Sequence, residues 1–498
     1  MNQTSAQAVT RPIRTIIIGA GMAGLLAGIR LKERGDDNFT IYEKGDCVGG
    51  TWRENTYPGL TCDVPAHAYT YSFAYNPDWS QFMAPGPEIR EYFEAMANRY
   101  GVMEHIRFNE EIASAEWQGD KWHIRTKSGL EDEGNVLVAA TGVLHVPNYP
   151  DIEGIDSFEG ACFHSARWNH SVPLDGKRIG VIGTGSTGVQ IISALADRAS
   201  KLTHFQRTAQ WIMSRPGPVY SDADKQAFRD DPALIEAVRN NPEGAANRER
   251  FLNAVIDPSS PAHAELEALL TRNLEESVSD PVLREKLRPN YRAACKRLIF
   301  ANDYYEAVQK PDVEVEARKI ARVEPEGVRL EDGTLIELDV LVLATGFRAD
   351  QFVRPMKIKG VGGADLEDLW AEVPRAYFAV TVPNFPNMVL LNGPAGPVGN
   401  FSLIDVAEAQ WDYFDKLMEP VRNGECAGLA PTMEALDAYD ERRRKAAAGT
   451  IWASGCKSWY IGGDGLPQVW SWPMDYFWEV MSKPEFGDYE KIGVSQNA

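Results

Sequence analysis

Two stretches of the chain share a three-glycine spacing between an apolar run and a segment of helical period. The first is RTIIIGAGMAGLLAGIRLKERG, with Gly19-x-Gly21-x-x-Gly24, and the second is KRIGVIGTGSTGVQIISALADRA, with Gly183-x-Gly185-x-x-Gly188. Glycines at this spacing let a strand turn tightly into a helix. They also let backbone approach a pyrophosphate, which the free N–H groups and positive pole of the helix would hold. The spacing alone is a weak signal; a strand before it and a helix after it give it meaning. A merely tight strand–helix turn is the alternative at both places. Two such units predict an α/β fold with two Rossmann-like dinucleotide-binding domains.

The ends of the following strands separate the two sites. FTIYEK places Glu43 and THFQRT places Arg207 at the same distance from their first glycines (19 to 43 and 183 to 207). An acid there suits a ribose 2′-OH, whereas an arginine suits a 2′-phosphate. The first site, around Gly19, Ala20, Gly21, Ala23, Gly24, Glu43 and Lys44, therefore predicts FAD, with NAD as the rival. The second, around Gly183, Thr184, Gly185, Ser186, Thr187, Gly188, Arg207 and Thr208, predicts NADPH. One chain with both sites has a hydride donor and a flavin to receive the hydride.

At 498 residues the chain needs more than one domain. The expected division is an FAD-binding domain begun at 1–146, an NADPH-binding domain begun at 147–216, a helical insertion at 217–290, the rest of the NADPH domain at 291–346, and the rest of the FAD domain with active-site loops at 347–498. The insertion is read from DADKQAFRDDPALIEAVRNN and AHAELEALLTRNLEES, where apolar residues recur three or four apart among charges. Asp332-Gly333, between two alternating runs, predicts a hairpin. VLVAATG (136–142) and VLVLATG (340–346) repeat, and would be the points where the backbone crosses between the domains.

Composition narrows the function classes. A net charge of −20 argues against a general nucleic-acid or anionic-membrane binder, so any bound phosphate needs a local site. Cys47, Cys62, Cys162, Cys295, Cys426 and Cys456 form no CxxC pair and no zinc spacing, and read as reduced, partly buried thiols with no metal site. MNQTSAQAVT lacks the basic start and apolar core of a signal peptide, and no apolar run reaches the roughly 20 residues of a membrane helix. A cytoplasmic enzyme is the expectation.

Two longer patterns point to a family. GGTWRENTYPGLTCD (49–63) fits [A/G]GxWxxxx[F/Y]P[G/M]xxxD, and Phe158-x-Gly160-xxx-His164-xxx-Trp168 fits FxGxxxHxxxW. With the two glycine turns and two ATG turns, the chain resembles the type I Baeyer–Villiger monooxygenases, within the class B flavoprotein monooxygenases. The resemblance runs from about residue 13 to 350, and more loosely to the C-terminus. Trp168 favours this group over the sister flavin-containing monooxygenases. Asn169 and Arg348 depart from the usual pattern and weaken substrate inference by analogy.

The resemblance implies that NADPH reduces FAD, that O2 forms a C4a-peroxyflavin, and that this attacks a ketone to give an ester or lactone. Arg297, in YRAACKRL, matches the family's active-site arginine, against a surface salt bridge as the plain alternative. Asp63 matches the aspartate that holds it. Lys296 and Arg207, with Thr208, would clamp the 2′-phosphate; Lys296 could instead be a solvated charge. Gly50, Thr51, Trp52 and Tyr69 match flavin-lining positions, although the two aromatic residues could be plain core. His164 tempts a catalytic reading, but its place in the inter-domain linker favours a role in domain orientation. SGCKSWYIGG resembles a mobile loop whose tryptophan, here Trp459, covers the nicotinamide.

The nearest rival activity is oxygenation of sulfur or nitrogen on the same flavin. A flavin disulfide reductase would need paired redox cysteines, and a flavin or NADPH sensor would need neither Arg297 nor the fingerprints. Which ketone is used, linear, cyclic, aryl or steroid, is not encoded legibly, and neither is the oligomeric state.

Overall fold

The structure, a computed structural model, describes residues 12–399 and 402–493; MNQTSAQAVT lies outside them. Thr15–Ile18, Phe39–Tyr42, Ile106–Arg107, Val136–Ala139 and Met388–Leu390 form one all-parallel sheet. Its centre is Thr15–Ile18, an isoleucine run buried on both faces, as a parallel strand covered by helices must be. Met388–Leu390 joins this sheet beside Val136–Ala139, so the chain returns to its first module nearly 250 residues after leaving it. A second all-parallel sheet has the order Val313–Glu316, Lys201–Phe205, Arg178–Ile182, Val340–Leu343, Ala161–His164. Each sheet delivers a glycine turn into a helix, Met22–Glu33 from the first and Ser186–Leu195 from the second.

Between residues 217 and 290 the helices are Asp222–Asp230, Ala233–Arg239, Pro242–Ile256, Pro261–Ser277 and Pro281–Lys286. Four begin at side-chain caps, Ser221, Asn241, Ser260 and Asp280, which satisfy the free N–H groups of the first turn. Gly327–Leu330 and Leu335–Glu337 pair antiparallel across the Asp332-Gly333 turn, as its residues predict. The C-terminal part is more regular than its Gly, Pro and Trp content suggests. Leu403–Leu417 buries Ile404, Ala407, Trp411 and Phe414 on one helical face, and Met433–Ala448 follows. No described helix is long and apolar enough to cross a membrane.

The expectation of six reduced, partly buried thiols is corrected in two ways. Cys295 and Cys456 are joined in a disulfide, while Cys47, Cys62 and Cys162 remain thiols and Cys162 is exposed. The partners stand 161 residues apart, a pairing that no local spacing announces.

Candidate active site

The two glycine turns are built alike. A Cβ on Gly24 would run into the carbonyl oxygen of Gly19, and one on Gly188 into that of Gly183, so the third glycine of each motif lets helix and strand close together. Neither following helix has a side-chain cap: Gly21 and Gly185 stand at their N-caps, and no acid occupies either first turn. The contrast with the capped insertion helices is physical. First-turn N–H groups left without a side chain are suited to a phosphate.

At the first turn, Glu43 is buried, with one oxygen accepting the Ala20 N–H at 2.8 Å and the other the Gly45 N–H at 2.7 Å. Arg53 donates to the same carboxylate at 2.6 Å and to Glu54 at 2.5 Å, and Arg167 reaches Glu54 at 2.7 Å. Burial works against the charge of Glu54, but Arg53 outweighs it and holds the carboxyl below its usual range. Sequence reading missed Arg53, although it directly follows Trp52 in the fingerprint. Trp52 donates its indole N–H to the Tyr69 hydroxyl at 3.3 Å, with the rings edge-on at 5.6 Å, so the two aromatic candidates form one wall. Ala23 is buried behind the turn, whereas Lys44 and Thr51 are exposed at its rim and Gly50 lies against Gly21.

At the second turn, Thr184 donates its hydroxyl to the Thr208 carbonyl at 2.8 Å, closing the turn onto the strand end that carries Arg207. Ser186 and Thr187 open the helix. Lys296 stacks over the Tyr291 ring at 4.6 Å, and its pKa is lowered by burial and then by the neighbouring charge of Arg207. Neither cation pairs with a carboxylate among the described residues. Two like charges held together in this way suit a dianionic group.

The fingerprint GGTWRENTYPGLTCD also joins the modules. Tyr57 donates its hydroxyl to Gln190 at 2.9 Å, Gln190 donates back to the Thr61 carbonyl at 3.1 Å, and Gly59 (φ +80°) lies where a Cβ would press on the Gln190 carbonyl. The segment thus ends with Asp63 facing the second module. There one oxygen of Asp63 accepts from Arg297 Nη2 at 2.6 Å and from Nε at 3.2 Å, and Arg297 Nη1 donates to the Gly399 carbonyl at 2.6 Å. Burial alone would lower the arginine's pKa, but Asp63, with Tyr460 and Cys62, outweighs it and the net direction is upward. Arg215, between the Phe82 and Phe300 rings, is a further cation of this region that the sequence did not single out.

His164 is fully buried, its Nδ1 accepting the Ala166 N–H at 3.1 Å. The ring proton therefore sits on Nε2 and is donated to the Gly346 carbonyl at 3.0 Å, tying the linker to the second ATG turn. Both nitrogens are used by backbone, which favours the orienting role over catalysis. Trp168 packs edge-on against Phe163, and Gly160 leaves room for the Phe158 ring. Trp459 is 43% exposed and lies against Tyr460, with ring centroids 4.3 Å apart. No group of acidic, histidine or cysteine side chains among the described residues is arranged to hold a metal.

Comparison with known proteins identifies the family. The family described as flavin-binding monooxygenase-like matches residues 13–222. An uncharacterized monooxygenase of Mycobacterium tuberculosis is 45% identical over 454 residues, 91% of each chain. A Baeyer–Villiger monooxygenase of Streptomyces coelicolor is 35% identical over 485 residues, 96% of this chain and 93% of that one. Among solved structures, cyclohexanone monooxygenase from Rhodococcus sp. Phi1 bound to NADP+ superposes with a TM-score of 0.85 at 30% identity, covering 97% of this chain and 99% of the other. Its fold, its paired glycine turns and these relatives place the chain in the flavin-binding monooxygenase-like family, among the type I Baeyer–Villiger monooxygenases.

Proposed function

We propose that the protein converts a ketone, O2, NADPH and a proton into an ester or lactone, water and NADP+, with FAD as its bound flavin. The observation that carries this reading is the guanidinium of Arg297, held by Asp63 and the Gly399 carbonyl. When bound, FAD reduced by NADPH supplies the activated oxygen that attacks the carbonyl. Arg297 offers fixed positive charge where the oxyanion of the adduct develops, and Asp63 keeps that charge aimed. Gly19, Gly21, Gly24 and Glu43 would hold the FAD diphosphate and ribose, with Trp52 and Tyr69 as a wall of the flavin site. Gly183, Gly185, Gly188, Thr208, Arg207 and Lys296 would hold NADPH, with Trp459 near its nicotinamide. In this reading residues 1–146 and 347–498 make the FAD domain, and 147–216 and 291–346 make the NADPH domain, with 217–290 inserted in it.

Oxygenation of a sulfide or amine is the second reading. It needs no oxyanion stabilised, so the pinned arginine favours the ketone. The test is turnover of the holoenzyme with paired ketones and sulfides, reading both products. Ester or lactone formed with NADPH consumption is expected; sulfoxide or N-oxide alone would overturn the assignment.

The cationic pair gives a second expected result. Arg207→Ala should raise KM for NADPH about ten- to a hundredfold, the worth of a charge-assisted hydrogen bond of roughly 1.5–3 kcal/mol, and leave NADH nearly unchanged. Equal losses with both cofactors would assign Arg207 to packing.

A further inference from the structure

Cys295 immediately precedes Lys296 and Arg297 and is fully buried. Its partner Cys456, with Cα atoms 6.2 Å apart, belongs to the C-terminal segment SGCKSWY. Ser454 on the same segment donates its hydroxyl to the Cys295 sulfur at 3.3 Å. Four residues beyond the bridge, Tyr460 is buried at 2% exposure, packed on the Trp452 ring at 5.6 Å and the Trp459 ring at 4.3 Å. Its carbonyl accepts the Gln468 N–H at 2.7 Å. The Tyr460 hydroxyl lies 3.3 Å from where a Cβ on Gly399 would stand, and the Gly399 carbonyl is the acceptor for Arg297 Nη1.

We propose that Tyr460 is a positioning residue for Arg297 and that the Cys295–Cys456 bridge is the tether that keeps it in place. This deepens the proposed function and rests on Arg297 being the active-site arginine. Asp63 restrains the guanidinium on its Nε and Nη2 side through a single oxygen. The Gly399 carbonyl accepts from the Nη1 side, and the Tyr460 hydroxyl stands beside Gly399. Burial pushes the Tyr460 phenol up and the guanidinium draws it back only in part, so Tyr460 stays neutral and supports the Gly399 side of the guanidinium without neutralising its charge. The tether is short on both arms. One residue separates Cys295 from Arg297 and three separate Cys456 from Tyr460, so the covalent link lies close to both side chains. Cys456 also lines an open cleft with Ser454, Gly455 and residues 288–292, so a small dithiol can reach the bridge.

Reduction of the bridge is a balanced exchange. Dithiothreitol gives up two electrons and two protons and closes to its cyclic disulfide, and Cys295 and Cys456 become thiols. The tether predicts that this loosens Arg297 without unfolding the protein.

The test uses FAD-loaded enzyme in four forms: wild type, wild type reduced with dithiothreitol and then freed of it, Cys456→Ser, and Tyr460→Phe. The last keeps the aromatic packing and removes only the hydroxyl. Two quantities are read. One is the rate at which phenylglyoxal labels Arg297, followed by peptide mass spectrometry; the other is oxygenated product per NADPH consumed, alongside the rate of flavin reduction. Labelling should rise about tenfold in the reduced, Cys456→Ser and Tyr460→Phe forms, as a weakened Gly399 contact to a charged group implies. Product per NADPH should fall in all three while flavin reduction stays within about twofold and FAD remains bound. Reduction should add nothing further in Cys456→Ser. Tyr460→Phe with wild-type labelling or wild-type coupling would overturn the positioning role, and reduced enzyme matching the oxidised form would overturn the tether. Labelling does not depend on which product forms. A wild type that makes only sulfoxide, with the labelling pattern intact, would overturn the ketone assignment and leave the positioning role standing.

Discussion

Arg297→Ala is expected to keep its flavin reducible by NADPH while losing ester formation about a hundred- to a thousandfold, the usual cost of about 3–4 kcal/mol for one fixed electrostatic donor. Hydride transfer brings two rings together and creates no oxyanion, so the arginine contributes little to its barrier. Oxygen transfer to a carbonyl does create one, and there the guanidinium held by Asp63 and Gly399 matters most. Reducing equivalents that find no productive outlet should appear as hydrogen peroxide. Arg297→Lys keeps the charge but loses the fork that holds Asp63 and Gly399 together, so only partial recovery is expected. Asp63→Ala should show the same defect more weakly, because the arginine remains but is less well aimed. Stopped-flow flavin reduction and product analysis on the same preparation separate the two half-reactions. Near wild-type ester formation in Arg297→Ala would remove the residue from the mechanism.

Gly185→Ala and Gly188→Ala should fail in opposite ways, although they lie three residues apart in one motif. A Cβ on Gly188 would strike the Gly183 carbonyl, so strand and helix must separate. A cost of about 1–3 kcal/mol, or several degrees in Tm, is expected, with NADPH binding lost as a consequence. A Cβ on Gly185 meets no protein atom within 4 Å, and the φ of −70° is one any residue adopts. The fold should therefore lose only the N-cap preference of glycine over alanine, under about 1 kcal/mol. What the new methyl group would meet is the dinucleotide, whose backbone approach the glycine permits. KM for NADPH should rise roughly tenfold or more at nearly unchanged Tm, a shift of about 1.4 kcal/mol in binding. A Gly185→Ala enzyme with wild-type KM would show that the dinucleotide does not pass over this turn.

The sequence determined the two modules, because their signals are local. A strand, a glycine turn and a helix lie within about two dozen residues, and steric exclusion at Gly24 and Gly188 requires glycine whatever surrounds it. The hairpin at Asp332-Gly333 was legible for the same reason. Long patterns shared with a family carried the rest, marking Arg297 and Asp63 although they stand 234 positions apart. Only the tertiary structure decided what those residues touch. The return of Met388–Leu390 to the first sheet and the Arg167–Glu54–Arg53–Glu43 chain across the modules depend on pairing between distant segments. So do the Cys295–Cys456 bridge and the approach of the Tyr460 hydroxyl to Gly399. The two ring nitrogens of His164 find backbone partners that its motif could not reveal. The physical reason is range. Turn sterics and hydrophobic period act over a few residues and leave a mark in the order of the chain. An ion pair, a disulfide or a buried hydrogen bond acts over a few ångströms of space, and which residues come that close is known only once the sheets have packed.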